Sequence, residues 1–303
     1  MGGNGFIGTN LAISLRQKGE EVVIVGRREK NDLPEGCTYI QGDCLDTAFI
    51  DSTIKENDKI VYLAYNSVPK TSFENPLKDI NENLSGAVAL FSVLKDFKID
   101  KLMYVSSGGT VYGKTSKEKI SEEHLTNPIS PYGITKLTIE KYAHFFAEVY
   151  HLPIVIARPA NPFGPFQNTS SGQGFVAAAI NAALTNSTIN IFGNNGTIRD
   201  YIYIDDLTSA FSILLNSEYR DAEIFNIGSG IGRSNKEIVD EINRYANADG
   251  FNCAISHLPE RVFDVPYNVL DCTKLKTLGW NATTNFEEAL IKTWNWYLNI
   301  KYD

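Results

Sequence analysis

The sequence opens on Met1-Gly2-Gly3-Asn4-Gly5-Phe6-Ile7-Gly8, in which glycines recur at every third position from Gly2. Helical apolar spacing begins within this stretch, near Phe6. Glycines at such a turn let backbone N–H groups at a helix N-terminus approach a pyrophosphate closely. The pattern also occurs in plain strand-to-helix turns, so its weight depends on the rest of the chain. The residues assigned to a dinucleotide-binding turn are Gly2, Gly5, Phe6, Ile7 and Gly8.

A turn of this kind normally follows a strand, yet only Met1 precedes Gly2. A doubly wound sheet without its first, central strand would leave backbone groups of the neighbouring strands unpaired, which is costly. We therefore expect a strand ahead of Gly2 and a numbering that starts late, through an incomplete record or a misassigned start. A true truncation is the less favoured alternative, and it would put cofactor binding in doubt.

Downstream of the turn, short β-branched runs alternate with stretches of helical apolar spacing. This alternation predicts an α/β fold with a doubly wound parallel sheet. Gly19 is positioned to end the first helix. Predicted strands cover residues 21–25, 59–64, 101–106 and 152–157, and predicted helices cover 10–18, 83–97 and 132–150.

The pattern changes after Pro159, where glycine-rich turns separate the periodic segments. This suits a smaller, mixed α/β lobe built from loops and short elements. We predict a dinucleotide-binding domain over residues 1–158 and a substrate domain over 159–303, with some chain crossing back. In the second domain, turns are predicted within 161–174, 193–196 and 228–232, and helices over 175–184 and 204–215.

Composition and charge exclude several classes of protein. Of the 303 residues, 43% are apolar and 21% are charged, which excludes a disordered chain and a coiled coil. A formal charge of -8 disfavours nonspecific binding to nucleic acid or to an anionic membrane. Any phosphate group must therefore be bound by local cations.

Signals for membranes, secretion and metals are weak. No run reaches the roughly 18 apolar residues of a membrane span, and the N-terminus lacks a secretory signal, so we predict a cytoplasmic location. The four cysteines and four histidines show no metal-ligand spacing, so we expect reduced, structural thiols and no metal site.

The end of the second predicted strand bears on cofactor choice. An acid normally binds the ribose 2′-hydroxyl of NAD there, but Val25 is followed by Gly26, Arg27 and Arg28. Arg27 suits the 2′-phosphate of NADP, or it stacks on adenine or faces solvent, so NAD and NADP both stay open. Asp43 follows the next strand and is a candidate for the adenine amino group, with Cys44 beside it.

Tyr132 and Lys136 lie four residues apart and therefore on one face of a predicted helix that begins at Ser130-Pro131. A nearby cation lowers the pKa of a phenol from about 10, so that a tyrosine can act as a general base near neutral pH. The spacing alone is common on solvated helices. It gains weight from a strand that ends upstream in Ser106-Ser107.

Several ordered motifs together resemble the extended short-chain dehydrogenases/reductases of the nucleotide-sugar epimerase/dehydratase family, and most closely the UDP-hexose 4-epimerases. The resemblance spans nearly the whole chain. It implies a Rossmann domain that binds a dinucleotide and a C-terminal domain that binds a UDP-sugar. The motifs are Gly2 to Gly8, Ser106-Ser107-Gly108-Gly109-Thr110-Val111-Tyr112-Gly113, Tyr132 with Lys136, Arg158-Pro159-Ala160-Asn161, and Arg199-Asp200-Tyr201-Ile202.

The resemblance also implies catalytic roles. Tyr132 would take the proton of the sugar 4-hydroxyl while hydride passes to the nicotinamide, and Lys136 would hold the nicotinamide ribose and tune Tyr132. The hydroxyl partner is Ser107 when counted forward to Tyr132, with Thr110 as the alternative, although counting back from Gly113 falls on Gly108. The acids of the family's dehydratases are replaced by Gly109 and Thr110, which disfavours elimination.

Further residues are assigned by the same resemblance. For the nucleotide they are Asn161, Arg199 and Arg261 on the diphosphate, Asp264 on the uridine ribose, and Phe192 against uracil or in the core. For the cofactor they are Leu63, Ala64 and Asn83, and Tyr65 occupies a commonly small position, where it narrows the groove.

Three functions stay open: a UDP-sugar 4-epimerase with tightly held NAD, an NADPH-dependent reductase of 4-keto-sugar nucleotides, and a regulator that binds the dinucleotide without catalysis.

The resemblance also implies a homodimer through a four-helix bundle formed by 83–97 and 132–150. We expect more apolar residues on these helices than the core requires, namely Leu90, Phe91, Leu94, Phe145 and Phe146. Sugar and pathway stay open, although surface polysaccharide precursors are the usual setting.

Overall fold

A computed structural model describes residues 1–28, 32–115, 118–169, 174–261 and 264–302. Residues 262–263, between the predicted nucleotide ligands Arg261 and Asp264, lie outside the described residues, as do residues 170–173 of the predicted turn at 161–174.

A four-stranded parallel sheet forms the centre of the molecule, in the order β3-β4-β5-β9. All residues of β4 and β5 are buried, as expected of strands that helices cover on both faces. The predicted parallel α/β sheet is therefore confirmed, and β9 returns from the second half of the chain to pair with β5. The bounds are β3 Lys59–Tyr62, β4 Lys101–Val105, β5 Ile154–Pro159 and β9 Asp221–Ile227.

A second parallel sheet pairs β1, Val23–Gly26, with β2, Thr38–Gln41. Met1 and Gly2 lie between the two sheets and bond to both. The amino group of Met1 donates to Val61 O at 2.7 Å, and Gly2 N donates to Val25 O at 2.8 Å. The strand expected ahead of Gly2 stays a prediction.

Helices cover both faces of the central sheet. One buried apolar cluster includes residues of α1, α7, α8, α9 and α11, and the other includes residues of α2, α5 and α6. The bounds are α1 Phe6–Gln17, α2 Thr47–Thr53, α3 Pro69–Glu74, α4 Pro76–Asp79, a π-helical turn Ile80–Leu84, α5 Ser85–Leu94, α6 Pro131–Tyr150, α7 Phe175–Leu184, α8 Ile204–Leu215, α9 Asn235–Ala248, α10 Thr273–Lys276 and α11 Phe286–Tyr302.

Helix α6 carries the predicted tyrosine and lysine and is fixed at both ends. The Ser130 side chain accepts a hydrogen bond from Gly133 N at 3.1 Å, and Pro131 occupies the first helical position, where its missing N–H costs nothing. The helix ends at His151, which adopts a left-handed conformation. Tyr132 and Lys136 lie on its buried face.

Four of the five apolar residues expected to exceed the core are instead part of it. Leu90, Phe91, Leu94 and Phe146 are buried within the chain, because α5 and α6 pack on each other and on the sheet. That expectation was wrong for these four residues, whereas Phe145 is 45% exposed.

The second half of the chain adds small sheets that sequence periodicity did not predict. β8, Ile198–Tyr203, pairs with β6, β10 and β12, and β7 pairs with β11. The buried Asp200 on β8 accepts hydrogen bonds from Ser229 N and Oγ, Gly230 N and Leu270 N, which ties separate chain segments together. The other bounds are β6 Asn161–Phe163, β7 Thr188–Phe192, β10 Gly232–Ser234, β11 Ala254–Leu258 and β12 Tyr267–Asn268.

Within the described ranges, no helix has both the length and the apolar character needed to cross a bilayer. In the same part of the chain, no group of three or more histidine, cysteine or acidic side chains is arranged to hold a metal ion.

Candidate functional site

A cleft of about 390 Å³ lies at the carboxyl ends of β1, β2 and β3. This is the edge of an open α/β sheet where ligands bind. Eight of the residues predicted to bind the cofactor line it, whereas Phe6, Ile7 and Gly8 form the first turn of α1 behind it. The eight are Gly2, Gly5, Arg27, Asp43, Cys44, Leu63, Ala64 and Asn83.

The three glycines of the turn differ in what a side chain at each position would meet. Gly2 has φ +76°, and a Cβ there would lie 2.5 Å from Ala64 N. A Cβ on Gly8 would lie 2.5 Å from the Cα of Gly3, so only glycine lets helix and loop touch. A Cβ on Gly5 would approach only Gly2 O, at 3.8 Å, so this residue leaves space at the N-terminus of α1. The turn therefore fits a pyrophosphate, and with it a dinucleotide such as NAD.

At the end of β1, glycine stands where the usual acid would be, and the Asn4 side chain packs against it. A Cβ on Gly26 would lie 2.6 Å from Asn4 Nδ2, which itself donates to the Tyr39 hydroxyl at 2.9 Å. Arg27 reaches across to hydrogen-bond Asn66 and lies 4.0 Å from Asp43. Sequence reasoning missed Asn4, although it stands inside the glycine motif and lines the cleft.

Tyr132 and Lys136 lie side by side beneath this cleft. Lys136 Nζ donates to Val105 O at 2.8 Å, at the end of β4, and lies 5.8 Å from the centre of the Tyr132 ring. Tyr132 N donates to Ser72 Oγ at 3.1 Å, which joins α6 to α3. The side chains predicted to act as base and cation are therefore brought together, and their roles stay predictions.

Burial governs the protonation of this pair. Burial, followed by the charge of Asp79, raises the pKa of Tyr132 above its usual value. Burial also lowers the pKa of Lys136 to about 7, partly opposed by Glu140 and Asp79. Burial thus dominates the pKa of Tyr132 in this arrangement, and the expected lowering by Lys136 stays a prediction.

Tyr65 lies directly over the pair. Its ring centre is 4.0 Å from Lys136 Nζ and 4.9 Å from the centre of the Tyr132 ring, which it meets edge-on. Its hydroxyl lies 3.3 and 3.4 Å from the carboxylate oxygens of the buried Asp79. We call Tyr65, Asp79, Tyr132 and Lys136 the reactive cluster.

The loop after β4 distinguishes the candidates for the hydroxyl partner. A Cβ on Gly108 would lie 2.5 Å from Leu270 Cδ1, so that position faces the core. A Cβ on Gly109 would instead lie 3.8 Å from both Ser107 Oγ and Asn161 Oδ1. Ser107 and Asn161 therefore border the same small space. The Thr110 hydroxyl is buried and, among the described residues, has no hydrogen-bond partner.

A second cleft, of about 240 Å³, contains every side chain predicted to bind the nucleotide except Ser107 and Tyr132. It also contains polar residues that sequence reasoning missed, because they carry no motif of their own. The predicted residues are Asn161, Phe192, Arg199, Arg261 and Asp264, and the additional polar ones include Asn190, Thr197 and Asn235.

Two of the predicted nucleotide ligands bind each other in this structure. Arg261 donates to both carboxylate oxygens of Asp264, at 2.8 and 3.0 Å. The guanidinium carbon of Arg261 also lies 3.8 Å from the centre of the Phe192 ring. Arg261 therefore covers one face of the ring that was considered for stacking on uracil. Burial lowers the pKa of Arg199, which lines the same cleft.

A second buried polar group lies behind α6, one turn after Lys136. Arg158 donates to Glu140 at 3.0 and 2.5 Å and to the Tyr112 hydroxyl at 2.8 Å, and Tyr112 donates to Asn226 Oδ1 at 2.7 Å. Ser106 adds a short hydrogen bond to Glu140. We call Ser106, Tyr112, Glu140, Arg158 and Asn226 the scaffold cluster.

Comparison with known proteins agrees with these features. Residues 1–228 match the profile of the NAD dependent epimerase/dehydratase family. The chain is 30% identical to the UDP-glucose 4-epimerase of Mycolicibacterium smegmatis, over 98% of this chain and 97% of that protein. It is 31% identical to the dTDP-4-dehydro-6-deoxyglucose reductase of Escherichia coli, over 96% and 94%. The crystal structure of the Thermotoga maritima UDP-glucose 4-epimerase with UDP-glucose superposes with a TM-score of 0.91 at 29% identity, over 99% and 98%.

The fold and the first cleft are those of a dinucleotide-dependent enzyme of the Rossmann type. The chain belongs to the NAD-dependent epimerase/dehydratase family. The predicted family, the Rossmann-type fold and the use of NAD by an enzyme of the epimerase class are thereby confirmed.

Proposed function

We propose that this chain is a nucleotide-sugar 4-epimerase that interconverts UDP-glucose and UDP-galactose, or their N-acetyl forms, by transient oxidation at C4. The observation that carries the proposal is the position of Tyr132 and Lys136. They lie under Tyr65, and Tyr65 lines the dinucleotide cleft. Gly133, next to Tyr132 in the chain, lies close to the loop between the pair and the second cleft. A Cβ on Gly133 would lie 2.9 Å from Thr110 O, and the loop that contains Thr110 borders Asn161, which lines the second cleft.

The dinucleotide would be held by the glycine turn and by side chains at the strand ends. Backbone N–H groups at the start of α1 bind the pyrophosphate, and Asp43 binds the adenine amino group. A bound NAD would supply a reversible hydride acceptor for C4 of the sugar, so that the complete reaction would have no net redox change.

The chain's own residues then handle the proton and the orientation of the sugar. Tyr132 Oη takes the proton of the 4-hydroxyl and later gives it back, and Ser107 Oγ bonds to the same hydroxyl. Lys136 Nζ bonds to the nicotinamide ribose. Rotation of the 4-keto sugar between the two hydride transfers inverts C4.

The second cleft would bind the UDP portion. Arg199 and Arg261 bind diphosphate oxygens, since guanidinium groups match phosphate geometry and the protein as a whole is anionic. Asp264 would leave Arg261 and accept a hydrogen bond from the uridine ribose. Gly109 and Thr110 stand where dehydratases carry acids, which favours epimerisation over elimination.

A specific observation supports a second candidate, an NADPH-dependent reductase of 4-keto-sugar nucleotides. The end of β1 offers Arg27 and no acid, and a Cβ on Gly26 would meet Asn4 at 2.6 Å. A reductase of a dTDP-4-keto sugar is among the relatives at 31% identity. Such an enzyme consumes one reduced cofactor for each turnover.

The experiment that tests the proposal incubates the full chain with UDP-galactose or UDP-N-acetylgalactosamine and a trace of NAD, and separates the products by chromatography. We expect the gluco isomer without net reduction of the cofactor. Tyr132→Phe should lower kcat by about a thousandfold and leave the Kd for NAD unchanged. Stoichiometric oxidation of NADPH on a 4-keto-sugar nucleotide, with no epimerisation, would instead establish the reductase.

We also propose that the two halves of the chain bind different ligands and that the protein forms a dimer. Residues 1–158 would bind the dinucleotide and 159–303 the UDP-sugar.

Helix α6 exposes an apolar stripe made of Ile134, Tyr142, Phe145 and Val149, which a second copy would cover with α5 and α6 of its own. In sedimentation experiments at micromolar concentration, Phe145→Asp should give monomers, whereas Ile231→Asp, a control at an exposed position elsewhere, should stay dimeric.

A further inference from the structure

Tyr65 separates the dinucleotide cleft from the side chains that the proposed mechanism needs. It lines that cleft, whereas neither Tyr132 nor Lys136 lines either cleft. Beneath it, Tyr132 is 9% exposed and Lys136 is 5% exposed. A side chain that receives a proton from substrate, or that bonds to a ribose, must be reachable from the cleft.

We propose that Tyr65 is a positioning residue that works as a gate. In the closed position its ring covers Lys136 and Tyr132, and it leaves them when the nicotinamide end of the dinucleotide enters the cleft. The inference rests on the proposed function, because that function gives Tyr132 and Lys136 their partners.

The contacts of Tyr65 suit a side chain that moves. Its hydroxyl lies 3.3 and 3.4 Å from the Asp79 oxygens and 3.5 Å from Tyr132 O, all at the long limit for an O–H donor, where about 2.7 Å is usual. Asp79 keeps other partners when Tyr65 leaves, because Ser67 and Asn83 also donate to it. Opening therefore leaves no buried carboxylate unpaired.

The ring also affects the chemistry of the covered pair. When the Tyr65 ring is in the closed position, it shields the ammonium group of Lys136 from water. This burial lowers the pKa of Lys136 to about 7. Burial likewise raises the pKa of Tyr132, which keeps its hydroxyl protonated and unable to accept a proton near neutral pH. When the gate opens, polar groups replace the ring and the charged form of Lys136 is favoured again. The pair thus becomes competent only when the cleft is filled.

Accessibility of Lys136 gives a test that does not depend on turnover. The protein is reductively methylated with formaldehyde and borohydride near pH 10, where a substantial fraction of Lys136 is neutral whether the gate is open or closed, and the modification of each lysine is followed by peptide mass spectrometry. We expect Lys136 to react at least tenfold faster in Tyr65→Ala than in the parent, and about threefold faster in Tyr65→Phe, which keeps the ring but loses the bond to Asp79. Saturating NAD should restore protection in Tyr65→Ala.

Lys101 is the matched internal control. It is 1% exposed, burial lowers its pKa as well, and its ammonium donates to Ser217 O and Tyr219 O, in contacts that do not involve Tyr65. Its rate should be the same in all variants. If Tyr65→Ala unfolds, Lys101 also reacts quickly, and Tyr65→Phe then decides.

Cofactor binding supplies the second readout. Because a closed gate competes with the nicotinamide end, its removal should lower the Kd for NAD by about fivefold, measured by calorimetry. Weaker binding of NAD to Tyr65→Ala would show that the ring contacts the bound cofactor, and would overturn the gate. Equal labelling of Lys136 in the parent and in Tyr65→Ala would also overturn it.

The two proposals fail separately. A protein that passes the labelling and binding tests but converts no sugar nucleotide contradicts the epimerase function and leaves the gate in place. A protein that epimerises UDP-sugars while Lys136 is freely methylated contradicts the gate alone.

Discussion

Helix α6 contributes to two buried polar clusters that are bonded very differently. In the scaffold cluster the Arg158 bonds to Glu140 and Tyr112 measure 2.5 to 3.0 Å, and an ion pair is completed within it. In the reactive cluster the hydroxyl contacts of Tyr65 measure 3.3 to 3.5 Å, and Lys136 faces aromatic rings rather than a carboxylate. The difference separates a group that holds the helix in position from a group whose members can change partners.

Helix α6 therefore carries both a cluster that holds it in position and the cluster to which we assign the chemistry. Glu140 lies a turn beyond Lys136, so the well-bonded cluster fixes the backbone from which the lysine projects. A buried charge pair adds little net stability by itself, but the loss of one partner is costly. Variants in the two clusters should therefore differ in kind, with unfolding in one and altered chemistry in the other.

The largest effect is expected for Glu140→Gln, which leaves the buried Arg158 without its carboxylate. The free energy of unfolding should fall by about 3–5 kcal/mol in urea denaturation. Asp240→Asn is the control, because it removes an exposed pair with Lys236 and should cost no more than about 0.5 kcal/mol. Equal losses in the two variants would contradict the assignment of Glu140 to the scaffold.

A matched pair of hydroxyl deletions sharpens the contrast. Tyr112→Phe removes an acceptor from Arg158 and a donor to Asn226, so it should lower the free energy of unfolding by about 2 kcal/mol. Tyr65→Phe removes only long contacts and should cost less than about 0.5 kcal/mol. Thermal denaturation of both variants checks this, and a greater loss in Tyr65→Phe would reverse the comparison.

A third contrast lies in the pH dependence of folding stability. Lys136 loses its proton near pH 7 in the folded protein, whereas in the unfolded chain it keeps it to about 10.5. Between these values the unfolded state binds more protons, so folding stability rises with pH. Relative to Lys136→Met, the parent should gain about 1 kcal/mol per pH unit from pH 7 to 9.5 in urea denaturation. Parallel profiles would show that Lys136 stays charged when folded.

Much of the fold follows from local sequence. The predicted helix over 175–184 coincides with Phe175–Leu184, and the one over 204–215 coincides with Ile204–Leu215, because their apolar spacing is uninterrupted. The helix predicted over 83–97 is shorter, since a π-helical turn at Ile80–Leu84 leads into it. β7 and β11 were missed because short strands at the surface of the second half lack a continuous apolar run.

For the candidate site, too, the sequence predicted some features and missed others. Residues that belong to ordered motifs, such as Gly5 and Arg199, lie in the predicted clefts, because the motif fixes their place relative to strand ends. Side-chain partners could not be predicted, since they depend on distant segments. The bond between Arg261 and Asp264 and the cover of Tyr65 over Lys136 are both of this kind.

The carboxylate of Asp200 has a mechanical consequence for the nucleotide cleft. It takes hydrogen bonds from Ser229, Gly230 and Leu270, and it stands next to Arg199 in the chain. Asp200 therefore ties β8 to the segments that contain Ser229, Gly230 and Leu270. A displacement of Arg199 would have to move these segments as well as β8. The wall of the second cleft that carries Arg199 is therefore stiff, so the position of this cation is set before any ligand arrives.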